Sequence, residues 1–177
     1  MKKLCLLFFT AIALSCCDND DNKPKTELEK LPPATQTGAN TFGCLLDGKA
    51  FLPGSGINPL DCVYQYVDDG YYFALQANKR DELNNRISIA IGTINLQLQQ
   101  GFTYNLFENS EGNATGLYSY ATNHNYTSTT NFGELTITKL DEVNHIVSGT
   151  FWFDIPHPVT GETIQIREGR FDTLFTE

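Results

Sequence analysis

The side chains of this chain with distinctive chemistry are five cysteines, three histidines, one tryptophan and a scatter of carboxylates. A cysteine thiol can carry a lipid, bridge to a second thiol or ligate a metal. Cys5, Cys16 and Cys17 cluster near the N-terminus, whereas Cys44 and Cys62 stand apart further on. His124, His145 and His157 each adjoin Asn or Pro in turn-like contexts. No His-x-x-x-His pair, no Glu-flanked zinc pair and no Gly-x-Ser-x-Gly elbow occurs, so neither zinc hydrolysis nor elbow-type acyl transfer is indicated. Cys44 and Cys62 lack a third and fourth ligand at zinc spacing. Asp18 to Asn22 and Asp68-Asp69 offer oxygen ligands, but without the glycine and distal bidentate glutamate of a calcium loop. A glycosidase-type carboxylate pair is defined by distance in space and leaves no trace in spacing. The expectation is a chain with no metal, no cofactor and no enzymatic activity.

Recognition is the sharper idea. In Thr150-Phe151-Trp152-Phe153-Asp154 the phenylalanines alternate with Thr150, Trp152 and Asp154. If the phenylalanines face a core, Trp152 faces out beside a hydroxyl and a carboxylate. Tyr118 and Tyr120 share one face of their own strand. Trp152, Asp154, Tyr118 and Tyr120 form a candidate ligand face on which sugar rings could stack. The alternative is that Trp152 packs under a loop or against a second sheet.

The N-terminus reads as an export signal. Lys2 and Lys3 precede an apolar run from Leu4 to Leu14, after which Asp18, Asn19, Asp20, Asp21 and Asn22 turn the chain acidic. The run is shorter than the roughly 20 residues that span a bilayer. Leu14-Ser15-Cys16-Cys17 resembles a lipobox with Cys17 as the lipid acceptor; the register one residue earlier makes Cys16 the acceptor. Several acyl chains on one cysteine give a stable anchor where a single chain is marginal. The resulting division is a signal peptide at 1–16, a lipidated N-terminus and disordered linker at 17–39, and a single β domain at 40–177. Pro24, Pro32 and Pro33, with no apolar period around them, argue for the linker. Export to an oxidising compartment makes a Cys44–Cys62 disulfide one option, two buried thiols the other.

From Asn40 onward the hydrophobic period is two. Asp47-Gly48 and Asp68-Asp69-Gly70 lie between apolar runs and signal hairpins. Arg86 to Ile91 alternates with three isoleucines on one face. Strands are expected near 102–107, 116–121, 133–138, 146–154 and 163–171, about ten in all. The fold class is all-β, an antiparallel β-sandwich, with a closed lipocalin-like barrel as the alternative. Aromatic residues at 12% suit a sheet. A net charge of −9 disfavours nucleic acid as a partner.

Three blocks carry a family likeness: Leu31-Pro-Pro-Ala-Thr-Gln-Thr-Gly38, Asn40-Thr-Phe-Gly-Cys-Leu-Leu-Asp-Gly-Lys49, and Ser148-Gly-Thr-Phe-Trp-Phe-Asp154 with Glu168-Gly-Arg-Phe-Asp172. They resemble an uncharacterised lipoprotein family of Bacteroidetes. The resemblance implies a lipid-anchored β domain and no particular activity. The acidic run after Cys17 resembles the surface-export signal of such lipoproteins, and Asp172-Thr173-Leu174 resembles their O-glycosylation site, with Thr173 as acceptor. The expected role is a non-catalytic interaction module, anchored in the outer membrane on the cell surface or the periplasmic side, with an envelope protein as partner. The alternatives are a carbohydrate-binding lipoprotein and an enzyme or carrier of small apolar ligands.

Overall fold

The computed structural model describes residues 24–177. The signal and the acceptor candidates Cys16 and Cys17 lie outside the described residues. Eleven strands follow a single 3-10 turn at Leu28–Lys30: β1 (Thr41–Leu46), β2 (Lys49–Phe51), β3 (Leu60–Val67), β4 (Gly70–Arg80), β5 (Arg86–Ile94), β6 (Thr103–Leu106), β7 (Ala114–Tyr120), β8 (Asn123–Tyr126), β9 (Gly133–Asp141), β10 (Ile146–Pro156) and β11 (Thr163–Leu174). Period-two burial follows the sequence. Ile87, Ile89 and Ile91 of β5 point inward, as do Phe151 and Phe153 of β10. Both hairpins form where expected. Asp47 and Gly48 have φ of 47° and 76°, and Asp68 and Asp69 have 50° and 58°, the paired positive φ of a type I′ turn. Gly70, expected in the second turn, instead opens β4 opposite Val67.

The strands form one mixed sheet in the order β2-β1-β11-β10-β9-β6-β7-β5-β4-β3, with β8 added on β7. The four-residue β6 joins two halves: it runs antiparallel to β9 and meets β7 through a single parallel pair, Leu106 with Ala114. The halves face each other across one core, consistent with a β-sandwich. Phe73 of β4 lies 6.3 Å from Phe171 of β11, and Gly116 of β7 sits against the Phe153 ring. The sheet is not closed into the barrel considered as the alternative. The backbone of β3 pairs with the C-terminal residues only at an isolated bridge, with Tyr64 N–H donating to Thr176 O (2.9 Å) and Thr176 N–H to Cys62 O (3.0 Å), and the Tyr64 ring meets Phe175 edge-on at 5.6 Å. Phe42, Phe51, Phe73, Phe153 and Phe171 are almost wholly buried in the interior. Each contributes about 1.5–3 kcal/mol by leaving water.

The described part of the expected linker is docked. Thr26 and Glu29 bond reciprocally, Thr26 N–H to the Glu29 carboxylate (2.7 Å) and Glu29 N–H to Thr26 Oγ1 (3.3 Å). Glu27 accepts the N–H of Ala50 in β2 (2.8 Å), Leu31 is buried, and Pro32 packs on Gly43 of β1, where a Cβ would lie 2.6 Å from the proline ring. The segment carries no apolar period because backbone and hydroxyl donors, more than a hydrophobic stripe, hold it. That chemistry is invisible to a periodicity argument.

Candidate functional site

The outward face of β10 carries Trp152 and Asp154, both half-buried. Opposite them β11 has one extra residue: Phe151 pairs with Gly169 and Phe153 with Ile166, which leaves Arg167 and Glu168 against Trp152 alone. Glu168 takes φ of 54° within this bulge. Such a bulge re-aims a side chain. The Arg167 guanidinium sits 5.3 Å from the indole centroid and bonds Asp154 at 2.6 Å. The indole N–H donates to Glu134 of β9 (3.2 Å), and the Phe132 ring meets the indole edge-on at 5.9 Å. Ala34 of the docked segment lines the recess beside this cluster. The indole N–H, Arg167, Asp154 and Glu134 around Trp152 thus all have partners within the protein.

Tyr118 and Tyr120 do not join this face. Tyr118 is buried on the inner side of β7, 5.7 Å from the His157 ring, and burial pushes its phenol up to about 12. Tyr120 lies at the strand end, where its hydroxyl donates to Asp81 (3.0 Å) and accepts from Asn85 (2.8 Å). Outward positions of β7 are Thr115, Leu117 and Ser119, so Tyr118 and Tyr120 lie on the opposite side of the sheet from the expected ligand face.

The other half of the sheet holds a trough that the sequence did not reveal. On the outer face of β3, β4, β5 and β7 the register aligns Val63, Ala74, Gly92 and Thr115 in one cross-strand row. Gln65, Tyr72 and Ile94 form the row on one side; Gln76, Ala90, Leu117 and Tyr126 form the row on the other. Small residues between larger neighbours leave a channel of about 310 Å³ across the strands. Gly92 is part of its floor, where a Cβ would come within 3.0 Å of Phe73 O. The small residues come from four different strands, so no local run signals the channel.

A second feature missed in the sequence is Asp172. Its carboxylate is fully buried and accepts from Thr35 Oγ1 (2.6 Å), Thr37 N–H (2.9 Å), Thr37 Oγ1 (3.2 Å), Gly38 N–H (2.7 Å), Ala39 N–H (3.2 Å) and Ser148 Oγ (2.8 Å). Burial alone would raise its pKa. The donors, Thr35 foremost, outweigh burial and hold the group well below the usual carboxylate range. The neighbouring Thr173, expected as a glycan acceptor, is itself buried and donates to Asn40 (2.9 Å). Its hydroxyl is closed to an enzyme acting on the folded chain.

Residues 65–174 match the domain of unknown function DUF6252. The chain belongs to the DUF6252 family. No curated protein and no solved structure matches it. The DUF6252 span starts within β3 and runs through β11. It therefore contains most of the trough, the Trp152 cluster and Asp172, and leaves the docked segment, β1 and β2 outside.

The cysteines of the DUF6252 protein's β domain do not bridge. Cys44 and Cys62 are free and buried, one in β1 and one in β3, strands from different halves of the sheet. Burial pushes the Cys44 thiol up to about 12 and raises that of Cys62 as well. Both therefore stay protonated and poorly nucleophilic. His124 lies in β8, His145 in the β9–β10 turn, and His157 accepts the N–H groups of Val159 and Thr160 (3.1 and 3.2 Å). No group of three or more His, Cys, Asp or Glu side chains is placed to hold a metal among the described residues.

Proposed function

We propose that this DUF6252 protein is a non-catalytic interaction module, exported and held at the outer membrane by acyl chains on Cys17, whose trough receives apolar side chains of an envelope partner protein. The observation that carries the reading is the trough: an outward, mainly apolar channel across four strands, at the lower end of the volume range of ligand sites. The packed phenylalanine interior favours an external site over a carrier's internal chamber. Docking from Glu27 onward also shortens the reach of the anchor. The ten Cα–Cα steps from Cys17 to Glu27 extend at most about 36 Å, so the partner is sought close to the membrane.

A carbohydrate is the second reading. Tyr72 and Tyr126 stand on opposite sides of the channel floor, with the amides of Gln65, Gln76 and Asn109 beside them. Trp152 supports it less, because its ring and N–H are already engaged.

Both readings can be separated in intact envelopes. A photo-crosslinking residue at exposed Ala74 should give one discrete protein adduct that Leu117→Arg abolishes, while the same group at exposed Val143 gives none. Adducts equal at both positions, or indifferent to Leu117→Arg, would count against the trough. Neutral oligosaccharides that block the adduct would favour the second reading. Loss of acyl label in Cys17→Ser tests the anchor separately.

A further inference from the structure

Arg80 at the end of β4 and Arg86 at the start of β5 are direct cross-strand partners. Like charges in that relation destabilise a sheet. Among the described residues no carboxylate neutralises either guanidinium. Arg80 Nη1 donates to Asn84 O (2.7 Å), and Arg86 donates twice to Asn78 Oδ1 (3.1 and 2.9 Å), all neutral acceptors. Neighbouring Lys79 extends its ammonium over the Phe51 ring at 4.7 Å. No carboxylate of the described residues lies within ion-pair distance of these three cations, although Lys30, Lys139, Arg167 and Arg170 each have one. With 21 acidic residues in the chain, the lack of a countercharge is not for want of carboxylates.

Arg80 and Arg86 line a recess of about 720 Å³ with the main-chain side of Lys79, whose ammonium is turned onto Phe51; the loop between β2 and β3 walls its other side. The loop is fixed at both ends to one residue: Gly54 N–H donates to Asn78 O (2.8 Å) and Asn78 N–H to Pro59 O (2.7 Å). Between these ties the N–H groups of Ser55, Gly56 and Ile57 donate to no acceptor among the described residues. Two guanidinium forks and spare backbone donors together make the chemistry of an oxyanion site.

We propose that this recess binds the oxyanion of an acidic saccharide, a uronate carboxylate or a sulfate ester. Leu52, Ile57 and Pro59 offer apolar contact to the C–H face of a sugar ring, and Ser55 lies beside them as a partner for its hydroxyls. The remainder of the chain is strongly acidic, which opposes adsorption to an anionic bilayer and favours one anionic group entering a local recess. The site shares no lining residue with the trough, so it stands or falls separately.

The test is calorimetric titration of the full mature protein, in neutral detergent, with a heparin hexasaccharide, tri-galacturonate and cellohexaose, alongside sedimentation with phosphatidylglycerol vesicles. At least one acidic saccharide should bind and should weaken with salt. The double variant Arg80→Gln/Arg86→Gln should lose roughly tenfold or more in affinity with its melting temperature unchanged or raised. Val143→Ser, at an exposed turn outside both the recess and the trough, should bind as the parent does. The proposal is overturned if neither acidic saccharide binds, if cellohexaose binds as well as they do, if the double variant binds equally, or if the arginines serve vesicle binding instead.

Discussion

Two charged positions in this sheet are handled in opposite ways. Asp172 is buried and surrounded by six donors from one docked segment and one neighbouring strand. Arg80 and Arg86 are exposed, face each other across a ladder and, among the described residues, meet neutral acceptors alone. The Trp152 cluster lies between these extremes: half-buried, yet with Arg167, Asp154 and Glu134 all paired. A charge whose partners are all internal organises the fold. The charge of a pair that repels itself works against the fold, even where its N–H groups bond neutral acceptors, which is why we assign binding to the arginines and architecture to the aspartate.

That contrast can be broken most forcefully at Asp172. Asp172→Ala leaves buried donors without an acceptor and should cost about 3–5 kcal/mol in urea unfolding, with the 27–40 segment opening to protease. The same carboxylate should shape the acid limb of stability. Its folded pKa is depressed, whereas the unfolded chain protonates near 4. Its contribution is therefore complete above about pH 5 and declines as pH falls through the unfolded value toward the folded one. Over that window the parent should lose stability more steeply than Asp172→Ala; parallel curves would refute the latch.

A smaller effect is expected at the intermediate cluster. Arg167→Ala removes the cation over the indole and the Asp154 pair, for about 1–2 kcal/mol. It should also shift the emission of the single tryptophan to the red and raise its quenching by iodide. Unchanged emission would mean that the indole does not depend on its cover. In the trough, Leu117→Arg should alter the melting free energy by no more than about 0.5–1 kcal/mol, since the side chain points outward. The smallest change belongs to the arginine pair: Arg86→Gln alone should fall within about 0.5 kcal/mol of the parent, on the stabilising side. A clear loss there would make the pair structural and remove the contrast.

Much of the strand pattern could be read directly. Alternation placed Phe151 and Phe153 inward and so turned Trp152 outward. Aspartate and glycine at turn positions marked two hairpins. β8 escaped notice because Asn123-His-Asn-Tyr126 has neither alternation nor strand-forming composition and pairs on one side only, with β7. Tyr118 and Tyr120 showed which residues share a face, but period two cannot say which of the two faces is inside. The docked segment looked like a linker because proline and polar residues predominate. Its hydrogen bonds go to a carboxylate 137 residues away from Thr35.

What the sequence determined alone is therefore what is local: an all-β chain, the alternation within most strands, and the φ > 0 turns that reverse it. Only the tertiary structure decided that Thr35 to Ala39 close over Asp172, that four small residues align into a trough, and that Arg80 confronts Arg86 beside a recess. Each depends on which strands become neighbours and in what register. Register is set by the summed burial of a whole face, not by the residues that end up side by side.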